Sequence, residues 1–340
     1  MPLLDWLQKY TFPLESSFKD TNKAEHVYTK CVKRTLAHGT TTASYYGTIH
    51  VEATNLLADL CQKIGQRAFI GKVCMNQLSP DFYRDETTQQ SLENTQASID
   101  YFRSIDPDFS LICPIITPRF APACSSELLL GLGKLAKSAD LPIQTHMSEN
   151  LAEVALVKNL FPEQESYAHV YDAHGLLTDR TILAHCVHIT PEEVKLCAER
   201  GAGIAHCPIS NTGLTSGEAK VRWIIENGVK VGLGTDCSGG YSPSILESAR
   251  QASNVSRHVC MKSTIETKET PQLALAEILF LATLGGAEVC SIEDKVGNFL
   301  VGKEFDALLI DPNVEGGNVD IFEEDAGEWE RVLSKWAFNG

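Results

Sequence analysis

Residues 142–150 read PIQTHMSEN, and within them an imidazole, His146, stands three positions before a carboxylate, Glu149. The alternating apolar residues before His146 predict a β-strand bounded by Pro142, and Asn150 with Glu153 has the spacing of a capping box that opens a helix. A ring at a strand's end and an acid on the turn beyond it would face one small volume. Taken alone, the pair also fits a hydrogen-bonded core histidine and a glutamate that merely supports a helix N-terminus. The same design recurs, however. His185 is the penultimate residue of the run TILAHC (181–186), His206 lies in GAGIAHC (201–207), Asp236 closes VKVGLGTD (229–236), and Arg119 follows FSLICPIITP (109–118). Imidazoles and a carboxylate gathered in this way suit a divalent metal, zinc first among them, which lowers the pKa of a bound water enough to make it a nucleophile near neutral pH. Glu149 would then be a general acid/base within reach of that water. The TDCSGG stretch puts two glycines just after Asp236, where backbone can approach a ligand, although an Asp in a glycine-rich turn is common in its own right. His38, His50, His169, His174, His188 and His258 fall on helices or loops and read as surface or capping residues. His50-Val51-Glu52 matches half of the zinc-deaminase H-x-E…P-C-x-x-C signature, but the cysteine half is absent.

Positioning these groups requires a particular scaffold. Val27, Cys31, Val32 and Leu36 share one face of a helix over Ala24 to His38, with Gly39 placed to cap it. Strand-like TTTASYY follows, then a helix from about Asn55 to Gly65, RAFIGKVCM, a polar helix over Thr87 to Ile105, and a helix that starts at Ser125 or Ser126 and ends before Leu141. Thr190-Pro191-Glu192-Glu193 is a second capping box with Pro in the first turn, and that helix stops at Gly201. Near-continuously apolar strands that alternate with helices imply a parallel sheet covered by helices, and seven such units can be counted. The expected fold is therefore α/β, a (β/α)8-type (TIM) barrel, because polar groups collect where such barrels keep their chemistry, at the strands' C-terminal ends. No G-x-G-x-x-G turn supports an open dinucleotide-binding sheet. Beyond the barrel, helices are expected over Ser244 to Met261 and Pro271 to Cys290. Short strands with turn glycines are expected in VGNFLVGKEFDALLIDP, and an acidic tail runs to Gly340. The implied division is a barrel over 1–292 and a small β appendage with the tail over 293–340.

With 340 residues and 43% hydrophobic content the chain can bury a large core, and a formal net charge of −15 argues against nucleic acid as a partner. Eleven scattered cysteines, none in C-x-x-C, read as reduced thiols. No apolar run suits a membrane span or a signal peptide, so the expected location is cytoplasmic.

His146-x-x-Glu149, Leu183-Ala184-His185, His206-Cys207-Pro208-Ile209-Ser210-Asn211 and Gly234-Thr235-Asp236 together resemble the amidohydrolase superfamily, and within it the guanine deaminases. Similar segments are PLLDWLQKYTFP (2–13), GQRAFIGKVCM (65–75), TPRF (117–120), LATLGG (281–286) and GNFLVGKEFD (297–306), so the resemblance covers nearly the whole chain. It implies hydrolytic conversion of guanine to xanthine and ammonia at a single zinc, in purine catabolism, by a homodimer. It further implies that His146 and Asp236 are metal ligands and that His185 sits beside the metal. By the same resemblance, Glu149 shuttles a proton to the purine, Asp236 takes one from the attacking water, and Arg119 and Phe120 hold the base together with His146, Glu149 and Asp236. His206 would only shape the pocket. The chain departs from the pattern in having no His-x-His, the pair that family members carry on the first barrel strand together with a substrate-contacting glutamine beyond it. The expectation is that the first strand and part of the C-terminus lie outside this sequence, leaving the metal site incomplete. A non-catalytic chain that modulates a longer subunit, or a hydrolase of another nucleobase, are the alternatives.

Overall fold

A computed structural model of the chain describes residues 3–262 and 272–340. Its strands are β1 (Thr42–Tyr46), β2 (Arg67–Gly71), β3 (Val73–Cys74), β4 (Ile112–Pro114), β5 (Thr117–Pro118), β6 (Ile143–Met147), β7 (Thr181–His185), β8 (Gly203–His206) and β9 (Lys230–Leu233). All pairings are parallel. β1, β2 and β4 form one ladder, β3 pairs β5, and β6 to β9 pair in sequence order. Single bridges from Ile116 to Ile143 and from Phe120 to His146 join the β4–β5 segment to β6. The succession follows the seven expected units, with two of them broken into short pairs, and is that of a β/α barrel with β1 and β9 as its outermost strands.

The helices begin and end where side chains dictate. Asn150 and Glu153 form the expected capping box at the start of helix Leu151–Leu160, and Thr190 with Glu193 does the same for helix Pro191–Arg200, which ends on Gly201 at φ 72°. Thr87 and Ser125 cap helices Thr88–Ile105 and Ser126–Ala139 through their hydroxyls. Between sheet and helices lies the largest core, to which Ile143, Met147, Leu183 and Ile204 contribute from the strands. The opposite strand faces turn inward. Phe69, Ile115 and Ile182 meet there beneath Ala287, Val289, Ile292 and Val296. Gln144, also on that inward face, spans the interior, donating to the Tyr45 carbonyl at 2.9 Å and to Thr117 at 3.0 Å while accepting from Ser44 at 2.7 Å.

Two expectations are corrected, and one element is added. The segment 297–311 contains no strand: its β-like composition has no neighbouring strand to pair with, and an unpaired edge is not a strand. It lies along the barrel instead, tied by the Arg67–Glu304 ion pair and by Thr41 donating to Asp306 at 3.0 Å. The acidic tail ends in a helix, Trp329–Asn339, whose Ala337 carbonyl accepts from Arg250. The helix expected over Pro271 to Cys290 is interrupted at Thr283, giving Leu275–Ala282 and Leu284–Val289, and Pro271 itself lies outside the described residues.

Candidate metal centre and active site

The site is assembled at the C-terminal ends of β6, β7 and β9. His146 is the penultimate residue of β6, on the same inward face as Gln144. Its Nδ1–H donates to the Arg119 carbonyl at 2.6 Å, which leaves Nε2 as the ring's lone pair. Burial, then the neighbouring His185, lower its pKa to about 3, so the ring is neutral and able to act as a ligand at physiological pH. Tyr46 packs on it with ring centroids 4.4 Å apart, and the Tyr46 hydroxyl is buried without a hydrogen-bond partner among the described residues.

His185 ends β7. Strict alternation would aim it, like Leu183, at the helix layer, but His185 at φ 73° and Cys186 at φ 49° are left-handed and break that alternation. The ring now stacks on His146, with centroids 5.4 Å apart and planes inclined by 20°. Its Nδ1 donates to the Asn211 side-chain oxygen at 2.8 Å, while Nε2 faces Glu149 at 3.5 Å and Asp236 at 3.9 Å. Burial disfavours the charged ring, but Glu149 and then Asp236 outweigh it and hold the pKa of His185 above the usual histidine value.

Glu149 follows Ser148, itself left-handed at φ 50°, and is only 3% exposed. Its carboxylate accepts from Ser216 at 3.3 Å. Burial raises its pKa, His185 opposes the rise and Asp236 adds to it. Behind it, Glu153 accepts from the Glu149 and Asn150 backbone N–H groups at 2.8 and 3.1 Å and from the Tyr167 hydroxyl at 2.8 Å, fixing the turn that presents Glu149. Asp236 comes three residues after β9, at φ 44°. Gly239 and Gly240 wrap around it. A Cβ on Gly239 would lie 2.5 Å from an Asp236 carboxylate oxygen, so the glycines approach the aspartate's own neighbourhood.

His146, His185 and Asp236 each offer one ligand atom, all within 4.8 Å of one another. Two nitrogens and one oxygen are the donors of a catalytic zinc site with open positions. Both imidazoles spend Nδ1 on an oxygen acceptor, the outer-shell arrangement that fixes the tautomer for coordination through Nε2. These residues therefore fit a divalent ion. His185, expected beside the metal, is brought into the donor group itself.

The remaining expected residues are placed differently. His206, at the end of β8, is 1% exposed, has neither ring nitrogen hydrogen-bonded among the described residues, and has its pKa lowered to about 3 by burial and then by His185. Phe120 lies in an apolar cluster with Leu7, Phe12, Tyr83 and Leu214, under the N-terminal segment. The Arg119 guanidinium is gripped by Glu15, Nη1 donating at 2.7 Å and Nη2 at 3.0 Å. Glu15, Asn211 and Ser216 went unremarked as functional residues in the sequence. For Asn211 a signal existed, since it closes the HCPISN motif; the other two carry none.

The amidohydrolase family model matches residues 1–338 of the chain. A probable guanine deaminase of Schizosaccharomyces pombe is 52% identical over 339 residues, 99% of this chain and 63% of that protein. The guanine deaminase of Dictyostelium discoideum is 50% identical over 323 residues, covering 95% of this chain and 70% of that protein. Among solved structures, guanine deaminase from C. acetobutylicum with bound guanine superposes with a TM-score of 0.89 at 35% identity, over 99% of this chain and 77% of that one. The present chain thus spans roughly two thirds of the length of its S. pombe and D. discoideum relatives.

Proposed function

The chain belongs to the amidohydrolase family, and from that premise we propose that it carries guanine deaminase chemistry: guanine and water give xanthine and ammonia. The observation that supports this most directly is the convergence of His146, His185, Asp236 and Glu149 on one volume, in a chain half identical to guanine deaminases. In this reading His146 and Asp236 hold a zinc ion with His185 against it, and the bound metal supplies Lewis acidity that makes water a nucleophile near pH 7. The protein's own groups do the rest. Asp236 accepts a proton from the attacking water, and His185, held by Asn211, keeps Nε2 turned toward the same volume. Glu149, whose burial favours its protonated form, delivers a proton to a ring nitrogen as the water oxygen bonds to C2. The proton taken by Asp236 then passes to the exocyclic amino nitrogen, the bond from C2 to that nitrogen breaks and ammonia departs, while the hydroxyl proton left on C2 returns to Glu149 and gives the carbonyl of xanthine. Arg119 donates to ring acceptor atoms, with Phe120 walling the pocket.

We further propose that residues 1–292 form the barrel unit and 293–340 an appendage, that the protein acts in the cytoplasm, and that it functions as a homodimer. No helix among the described residues is long and apolar enough to cross a membrane. The purified chain incubated with zinc and guanine is expected to form xanthine and to retain about one metal per subunit; metal retention without xanthine would exclude the deaminase reading for this chain.

A further inference from the structure

The N-terminal segment supplies an acid that the reaction scheme does not use. Glu15, at the end of helix Phe12–Ser16, makes a two-pronged ion pair with Arg119, and both side chains are largely buried. Glu15 is itself held in place. The Tyr83 hydroxyl donates to its Oε2 at 2.7 Å and in turn accepts from the Ile49 N–H at 3.3 Å. The ring of Phe12 lies under the guanidinium, 5.2 Å from centroid to Cζ. Arg119 is thus fixed from the side by a carboxylate and from below by an aromatic face, while its own backbone carbonyl holds the His146 ring.

We propose that Glu15 is a positioning residue for the substrate pocket: it locks the Arg119 guanidinium so that N–H donors not spent on the carboxylate face the purine. This rests on the reading of Arg119 as a purine-holding residue. Two physical consequences support it. An end-on carboxylate fork takes one N–H from each terminal nitrogen and leaves the others free to donate. A bare guanidinium would also bring a full positive charge beside the His146 ring, whose Nδ1–H the Arg119 backbone carbonyl holds; Glu15 offsets that charge and leaves a hydrogen-bond donor suited to an uncharged base.

A merely structural role, docking the N-terminal segment, would be read in stability and not in affinity. The test is equilibrium dialysis of guanine against the metal-free full chain and four variants, with thermal melting of each. Glu15→Gln and Arg119→Met are each expected to weaken guanine binding about tenfold or more, and the double variant no more than Arg119→Met alone. Leu7→Ala, which loosens the same segment away from the ion pair, is expected to lower the melting temperature while leaving affinity within about twofold. If Arg119→Met weakens binding and Glu15→Gln does not, the positioning role is wrong while the pocket assignment stands. If Arg119→Met itself has no effect, both are wrong. A loss of affinity in Leu7→Ala equal to that in Glu15→Gln would likewise reduce Glu15 to a docking contact.

Discussion

At the scale of single residues, the proposed chemistry divides the site between groups that would face the reaction and groups that would hold them. Glu149 is expected to be among the former. Replacing it with Gln keeps the shape and removes the titrating proton, so kcat should fall about 10²- to 10⁴-fold while bound zinc, measured by atomic absorption, stays constant; unchanged turnover would remove Glu149 from the proton path. His206 is expected to be a cost, not a catalyst. Two buried ring nitrogens without a direct partner among the described residues are unfavourable by about 1 kcal/mol or more, so His206→Phe should melt no lower than the parent and retain activity. The strand-end residues His146, His185 and Asp236 were legible because a polar group that ends an apolar run has few packing reasons to be there. Glu15 was not, because its partner lies 104 positions away and only the folded chain brings them together.

At the scale of elements, the caps were readable from local spacing, and the strained turns were not. Left-handed φ at Ser148, His185, Cys186 and Asp236 falls on residues with no glycine to announce it, and backbone of this kind persists only where surrounding contacts impose it. The turn after Asp236 offers a test. Gly239→Ala would place a methyl 2.5 Å from the Asp236 carboxylate and 2.8 Å from the Ser210 hydroxyl, so zinc affinity should fall about tenfold or more; a titration against a chromophoric chelator would show it. The turn before Glu149 offers another. Burial and then the charge of Glu149 push Glu153 up to about 7, against the hydrogen bonds it accepts. An acid whose folded pKa is raised binds its proton more tightly in the native state, so this group favours folding below about 4.5 and that contribution is lost as pH rises through about 7. Urea midpoints of the metal-free protein should therefore fall between pH 5 and pH 7.5 by more than those of Glu153→Gln. Equal slopes would show that Glu153 does not titrate in that window.

For the whole molecule, the barrel was evident from the alternation of apolar strands and amphipathic helices, a pattern that needs no knowledge of contacts. What misled was the region beyond residue 292, where valine, phenylalanine and turn glycines look like strands although strand formation depends on a partner. The helix at Trp329–Asn339 could have been found, since Val332, Leu333, Trp336 and Ala337 follow helical spacing. The unpaired segment leaves Phe299 75%, Phe305 90% and Leu309 100% exposed, and an apolar strip of this kind favours association. Light scattering after size exclusion is expected to give twice the monomer mass, and Phe305→Ser with Leu309→Ser to shift the population toward monomer; a monomeric parent at micromolar concentration would exclude the homodimer.

The order in which the donor group's residues occur along the chain has a consequence for biosynthesis. A nascent polypeptide that has emerged as far as β8 already carries both imidazoles, His146 and His185, but not the aspartate that completes the trio. In the proposed metal site, ion capture would then wait until the segment beyond β9 has been made, because Asp236 lies downstream of both histidines, and a chain halted before it would offer only a pair of nitrogen donors.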